Sequence, residues 1–287
     1  MAGTIFTVAP DGSSDALFRI WGKAVSDTLS AGGFIQTADT GQIDWATVTK
    51  PSGYNTAQGY EIWRSNDAVG SLHNFYFKIE YGSGGATFTQ PAIWITVGWG
   101  SNGSGTLTGN ASTRTQKTGD FSATSYDCTA CVKPYGFVLS MFPTQGAYGN
   151  MLLAVERLRD HNGAFLDLVE IRTHTYGAYG AQVCSYALTA GSAYSSSTVP
   201  MGIPGIHTNA DSLLAGSDVG VLPIFPIFGG VQMPLSLLAA APSASFPTHN
   251  QSVIFDIYGS TATWKVQKPG TLFTLNSISM VHIMRYD

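Results

Sequence analysis

Apolar and polar residues repeat along this chain with two different periods. The longer period comes first. In "SSDALFRIWGKAVSDTLSAGG" (residues 13 to 33) apolar positions fall at Leu17, Ile20, Trp21, Ala24, Thr28 and Leu29. That spacing marks one face of an amphipathic helix, and it predicts that these side chains are buried. Ser13 or Ser14 can cap the start, Asp15 suits the positive end of the helix dipole, and Gly32 and Gly33 end it.

Beyond Gly33 the period shortens to two. "GYEIWRSND", "NFYFKIEYG" and "PAIWITVGWG" are aromatic and β-branched runs bounded by turn residues, which predicts strands. In the second of these, Phe75, Phe77, Ile79 and Tyr81 share one face, and Tyr76, Lys78 and Glu80 the other. "NMLLAVERLRDHNGAFLDLVEIRTH" predicts a hairpin with strands Met151–Arg159 and Phe165–His174, joined by a type I′ turn at Asn162-Gly163. Later strands are expected at Val253–Tyr258, Trp264–Lys268 and Ser279–Arg285. The polar stretch from 100 to 125 reads as a long loop or splayed hairpin, and "TAGSAYSSSTVPMGIPG" as a second loop. One helix followed by many strands implies a mainly β chain. The expected architecture is a β-sandwich or barrel-like fold carrying an N-terminal helix. The organisation expected is a helical segment over 1–35 and a β-rich region over 36–287. That region is one large or two smaller β domains, with a boundary near 187–205.

One stretch has neither period. "VGVLPIFPIFGGVQMPLSLLAAAP" (219 to 242) carries no charge. It is long enough to cross a membrane, which takes about 20 apolar residues in a helix. Pro223, Pro226, Pro234 and the Gly229-Gly230 pair break any such helix, and unsatisfied peptide groups are costly in lipid. Short strands are expected instead at Val219–Leu222, Ile224–Phe228 and Leu235–Ala239. They would fill a core or form a contact between subunits, with Leu222, Ile224, Phe225, Ile227, Phe228, Met233 and Leu235 as the candidate interface residues.

Composition narrows the function. Charged residues make up 11% of the 287, against roughly 25% in ordinary soluble domains. A surface built from Ser, Thr, Asn, Gln and Gly suits a protein packed into an assembly. The net charge of −4 and the absence of a Lys/Arg run leave no footprint for nucleic acid. The N-terminus lacks the basic and apolar regions of a signal peptide, so export by the standard route is not expected. Three cysteines make no disulfide framework in a chain of this size.

Chemical motifs are sparse. "GWGSNG" (98 to 103) has dinucleotide-fingerprint spacing but opens into "SGTLTGNAST", which cannot form the helix that would hold phosphate. "CTAC" places Cys128 and Cys131 at metal-site spacing, and Cys184 could be a third ligand; no spacing rule selects a fourth, so no metal or other cofactor is expected. The histidines are isolated in sequence. The carboxylates Glu156, Asp160, Asp167 and Glu170 lie on one hairpin and could serve a glycosidase, though Glu156 beside Arg157 or Arg172 suits an outward cross-strand ion pair better. Tyr176, Tyr179, Tyr186 and Tyr194 could stack on sugars, which makes them the candidate glycan residues.

Several phrases carry a resemblance. "FRIWGKAVSDTLSAGGFIQTADTGQIDWATVTKPSGYNTAQGYEIWRSND", "FYFKIEYGSGGATFTQPAIWITVGWGSNGSGTLTG", "AVERLRDHNGAF", "VLPIFPIFGG" and "ISMVHIMRYD" together cover most of the chain. They resemble a family of tailed-bacteriophage virion structural proteins. The resemblance implies a non-enzymatic virion component whose partners are copies of itself and other virion proteins. It carries over no catalytic or binding residue. Made in the host cytoplasm and located in the virion, such a protein is expected in the tail, baseplate or neck. Alternatives are a host-glycan or receptor-binding module of the virion, a head decoration protein and a polysaccharide-degrading enzyme.

Overall fold

A computed structural model describes residues 4–6, 10–67, 72–84, 91–115, 126–143, 151–160, 162–175, 178–187, 194–196, 222–223, 227–228, 231–232, 235–242, 252–257, 260–267, 273–275 and 278–286. In chain order, β1 (Thr4–Phe6) precedes the helix α1 (Asp15–Ala31), which leads into β2 (Ile35–Gln36), β3 (Thr56–Arg64), β4 (Tyr76–Ser83) and β5 (Pro91–Gly98). A small hairpin follows, β6 (Gly100–Ser101) with β7 (Leu107–Thr108). Then come β8 (Tyr126–Lys133), β9 (Gly136–Pro143), β10 (Met151–Arg159), β11 (Phe165–Thr175), β12 (Ala178–Ser185) and β13 (Tyr194–Ser196). The C-terminal strands are β14 (Leu222–Pro223), β15 (Ile227–Phe228), β16 (Val231–Gln232), β17 (Leu238–Pro242), β18 (Ser252–Ile257), β19 (Ser260–Gln267), β20 (Phe273–Leu275) and β21 (Ile278–Arg285).

The chain is mainly β, with antiparallel sheets and one helix near the N-terminus. Seven strands form the central sheet in the order β1-β8-β9-β10-β11-β12-β13. A four-stranded sheet runs β2-β3-β4-β5, and a C-terminal sheet runs β14-β17-β21-β19-β18 with β20 on β21. Among the described residues every path has free ends, and no barrel closes.

Strand parity explains the layering. Phe137, Leu139, Met141, Leu153, Val155, Val169 and Ile171 point from the central sheet into one core, shared with α1 and with Phe77, Ile79, Ile93 and Ile95 of the four-stranded sheet. Their neighbours Val138, Leu152, Ala154 and Leu158 point the other way, into a second core with Leu235, Leu237 and Met284. The run "MLLAV" is therefore apolar at every position because both faces of β10 are covered. A one-sided antiparallel sheet would have alternated.

The helix starts where expected: Ser14 caps it, its side chain accepting from the Leu17 N–H at 3.2 Å. Its buried face is displaced from the predicted one. Phe18, Trp21, Val25 and Leu29 are buried, while Leu17 and Ile20 are 40% and 53% exposed. The apolar residues of α1 span more than one stripe, and the large rings of Phe18 and Trp21 decide which stripe fills the core. Gly22 lies inside the helix, where a Cβ would stand 1.9 Å from the Trp45 ring. The glycine is needed there so that the indole can lie against the helix.

The 151–174 hairpin forms with the predicted strands, but its turn is longer than two residues. Arg159 pairs with Phe165, and of Asn162 and Gly163 only the glycine takes a positive φ, +82°. The Asp160 carboxylate accepts the N–H groups of Asn162 at 2.9 Å and Ala164 at 2.8 Å, which organises a wider loop. "GWGSNG" opens into the β6–β7 hairpin and not into a helix. Beyond it, Ser112 and Thr115 pair with Val97 and Ile95 through both backbone and hydroxyl. That closes the outer edge of β5.

Candidate functional site

Glu156, Glu170 and Asp167 of the hairpin turn inward or pair with arginine, whereas Asp160 organises the turn. Glu156 and Glu170 are register partners on β10 and β11, and both face the C-terminal layer. Glu156 is not the outward ion pair expected: it is 2% exposed. It accepts from the Ser236 N–H at 2.7 Å, the Ser236 hydroxyl at 2.5 Å and the Leu237 N–H at 3.1 Å. Burial pushes its pKa up to about 7 against the pull of these hydrogen bonds. Glu170 is also raised by burial, with the charge of Arg172 opposing it. Arg172 donates from Nε to Glu170 at 2.8 Å and also through Nη2.

On the opposite face, the buried Arg157 guanidinium ties two sheets together. It binds Asp67 through Nε at 2.5 Å and Nη2 at 3.3 Å, Asp167 at 3.2 Å, and the carbonyls of His73 at 2.6 Å and Leu166 at 3.1 Å. His73, isolated in sequence, has Nδ1 at 2.9 Å from Asp167 and stacks on Tyr186 with ring centroids 3.5 Å apart. The edge of Trp99 meets the same tyrosine at 5.7 Å. Of the candidate glycan residues, Tyr186 therefore has one ring face covered. Tyr176 lies outside the described residues, as do the side chains of Tyr179 and Tyr194, whose backbones run in β12 and β13.

The cysteines divide between the two cores. Cys128 and Cys184 are buried in the first and Cys131 in the second. A spacing of three along a strand puts Cys128 and Cys131 on opposite faces, so they cannot hold one ion. Among the described residues no group of three or more His, Cys, Asp or Glu could hold a metal. None of the three is joined in a disulfide, and burial lifts Cys184 to about 11.

The apolar stretch is only partly described. Leu222, Ile227 and Phe228 lie on β14 and β15, whereas Ile224, Phe225 and Met233 fall outside the described residues. Leu235 is buried in the second core, so within this chain it packs inward. Among the described residues no helix is long and apolar enough to cross a membrane.

A further site was not singled out by sequence. A cleft of about 700 Å³ opens between α1, the β2 segment, the 43–46 turn and β3. Lys23, Ser26, Asp27 and Ser30 line it from one helix face, which their spacing of three and four residues dictates. The turn is held by Asp44, whose carboxylate accepts from the Ala46 N–H at 2.9 Å and the Thr47 hydroxyl at 2.8 Å. Those hydrogen bonds lower its pKa, the Ala46 amide contributing most. Trp45 projects from this turn and meets Tyr81 edge-on at 4.8 Å and Phe18 at 5.8 Å.

Glu61 forms the floor and is 1% exposed. One oxygen accepts from the Ser26 hydroxyl at 2.8 Å and the Trp45 indole N–H at 2.9 Å. The other accepts from the Tyr81 hydroxyl at 2.8 Å and the Trp63 indole N–H at 3.3 Å. An indole N–H can only donate, so the acceptor-only carboxylate is the form this cage fits. Burial, then the charge of Glu61, raises the Tyr81 pKa well above 10.

No family model, no curated protein and no solved structure matches this chain. The chemistry of the cleft therefore has to be read from its own atoms. A carboxylate offers about four acceptor positions, and at Glu61 four donors occupy them. The group holds helix, turn and sheet together, and among the described residues no cation pairs with it. Glu61 stands two residues before Trp63 on β3, so the two share a face, but Ile62 between them is buried as well, and strand parity alone does not mark the cage.

Proposed function

We propose that this chain is a structural, non-enzymatic component of a tailed-phage virion, in the tail, baseplate or neck, assembling as a symmetric homo-oligomer. The observation that carries the structural part is the use made of buried charge. Glu156 fastens the central sheet to Ser236 and Leu237, Arg157 fastens it to Asp67 and His73, and Glu61 fastens helix to sheet. Each of these groups joins separate elements, as a load-transmitting subunit requires. The low charge content suits a chain whose surface is largely covered by neighbours. Placement in a phage particle rests on the resemblance of the sequence phrases. The test is immunogold labelling of purified particles with antibody to this chain, together with mass spectrometry of a particle digest. Label on the tail or neck and peptides in the digest support the reading; peptides missing from the digest overturn it. Oligomerisation has its own test, light scattering of Phe225→Asp/Phe228→Asp. A folded variant of unchanged oligomeric mass would remove 219–242 as the contact.

One observation favours a second reading, a receptor-binding module of the same virion. The cleft at Glu61 is open, lies within the common 300–1,000 Å³ range of small-ligand sites, and is lined by Trp45, Trp63 and Phe34.

A further inference from the structure

Three carboxylates and one ammonium line the cleft: Glu61, Asp27 and Asp44 against Lys23. Lys23 is already committed, its Nζ lying 2.7 and 2.9 Å from the two oxygens of Asp27. The walls therefore carry a net charge of −2. At the floor, the buried Glu61 accepts from four neutral donors, and among the described residues no cation pairs with it. Removing a charge from water costs several kcal/mol unless something opposes it. The remaining lining includes the rings of Trp45, Trp63 and Phe34, and aromatic faces are themselves negative.

We infer that this cleft binds an organic cation, a primary ammonium or guanidinium group. This rests on the second reading above, that the cleft takes a ligand, and it names the ligand's chemistry. Competing classes fit less well. A neutral sugar would need free carboxylate oxygens to accept its hydroxyls, and those of Glu61 are filled. An anion meets a net negative wall. A metal ion would need several open oxygens, and no metal-competent cluster exists among the described residues. An ammonium or guanidinium needs no acceptor from Glu61. It is attracted by charge acting through space and by the rings, and it can donate to Asp27 or Asp44 at the rim.

The experiment follows the indole N–H signals of Trp45 and Trp63 by proton–nitrogen NMR of the full chain. The probes are n-butylammonium, n-butylguanidinium, the peptide acetyl-Gly-Lys-Gly-amide and methyl glucoside, all at constant ionic strength. Saturable shifts of both indoles with the cations and none with the glucoside are expected. A larger affinity for the peptide assigns the cation to a protein partner, and equal affinity to a small amine; both outcomes keep the inference. Asp27→Asn, which changes a rim residue and leaves the turn held by Asp44 intact, is expected to weaken binding at least twofold with the unliganded spectrum retained. Glu61→Gln is expected to abolish it. Should Glu61→Gln fail to fold, the rim variant carries the test, and unchanged cation affinity in it overturns the inference. Glucoside shifts without cation shifts overturn the ligand class while the binding-site reading survives. No shift with any probe overturns both.

Discussion

Glu61 and Glu156 are the same residue type at nearly the same burial, 1% and 2% exposed, in two differently built regions. Glu61 sits under an open cleft, and its four donors come from a helix, a turn and two strands of the N-terminal layer. Glu156 is covered by the chain at Leu235–Leu237, and all three of its donors come from that one segment. The cage of Glu61 includes two indoles that can only donate and places a donor pair on each oxygen. The donors of Glu156 fall two on one oxygen and one on the other, beside a second buried glutamate in register. Burial alone therefore does not say what a carboxylate does. The number and independence of its donors decide what it joins: a helix, a turn and two strands at Glu61, one covering segment at Glu156.

The largest effect should come from emptying the better cage. Glu61→Ala leaves two indole N–H groups and two hydroxyls without their acceptor. An unsatisfied buried polar group costs about 1–3 kcal/mol, and water entering from the cleft will recover part of that. A loss of about 4 kcal/mol of unfolding free energy is expected in urea titrations. A loss below about 1 kcal/mol would mean that the cage is not a structural joint.

The second prediction concerns pH. The Glu156 carboxyl is raised from its ordinary 4.5 to about 7 in the folded protein. A raised acid favours the fold while both states are protonated. That contribution is complete below about pH 4.5 and is lost as pH rises toward 7, with a span of roughly 3 kcal/mol. Glu170 is shifted in the same direction, so the comparison has to be internal. Between pH 4.5 and 8, Glu156→Gln should lose less stability than the parent chain, by up to about 3 kcal/mol. Parallel stability curves for the two proteins would place Glu156 among ordinary carboxylates. The same substitution at Glu61 tests the contrast by its effect on cation binding.

How far these regions could be read from the sequence follows from where their partners lie. The helix, the strands of the 151–174 hairpin and the two faces of "NFYFKIEYG" were legible, because hydrophobic period is local. The separation of Cys128 from Cys131 was not, because no strand was expected over 126–133 and only strand parity puts the two on opposite faces. The buried stripe of α1 was not, since several stripes were apolar and ring volume chose between them. Neither cage was legible. Glu61 draws on Ser26, Trp45, Trp63 and Tyr81, and Glu156 draws on a turn 80 residues away. The hairpin turn was misjudged for a different reason. Asn-Gly signals a tight turn, but the neighbouring Asp160 captured two backbone amides and set a wider one.

Gly22 tests the wall of the cleft from behind. Alanine is favoured over glycine in a helix by about 1 kcal/mol, yet its Cβ would stand 1.9 Å from the Trp45 ring. Overpacking typically costs about 1–3 kcal/mol. Gly22→Ala should therefore destabilise by about 1–2 kcal/mol net and move the Trp45 indole signal, because the ring must leave its contact with the Glu61 oxygen. Stabilisation by the helix-propensity increment, with an unmoved indole, would show that the ring has room to yield.

The smallest stability effect should come from Lys23, and its sign sharpens the contrast most. Lys23 and Asp27 form an exposed i, i+4 pair, 59% and 63% accessible, and such pairs contribute about 0.3–0.5 kcal/mol. Lys23→Gln should therefore cost no more than about 0.5 kcal/mol in urea unfolding. In the cleft the same change takes the wall charge from −2 to −3 and releases the Asp27 oxygens toward the opening. Affinity for n-butylammonium should rise while stability falls slightly, and the gain should shrink as salt screens the rim. A purely structural Glu61 would leave the two measurements unrelated. If the affinity instead falls with the loss of Lys23, the ammonium is part of the binding surface, the cleft favours an anionic or neutral ligand, and the fixed charge of Glu61 serves the fold alone.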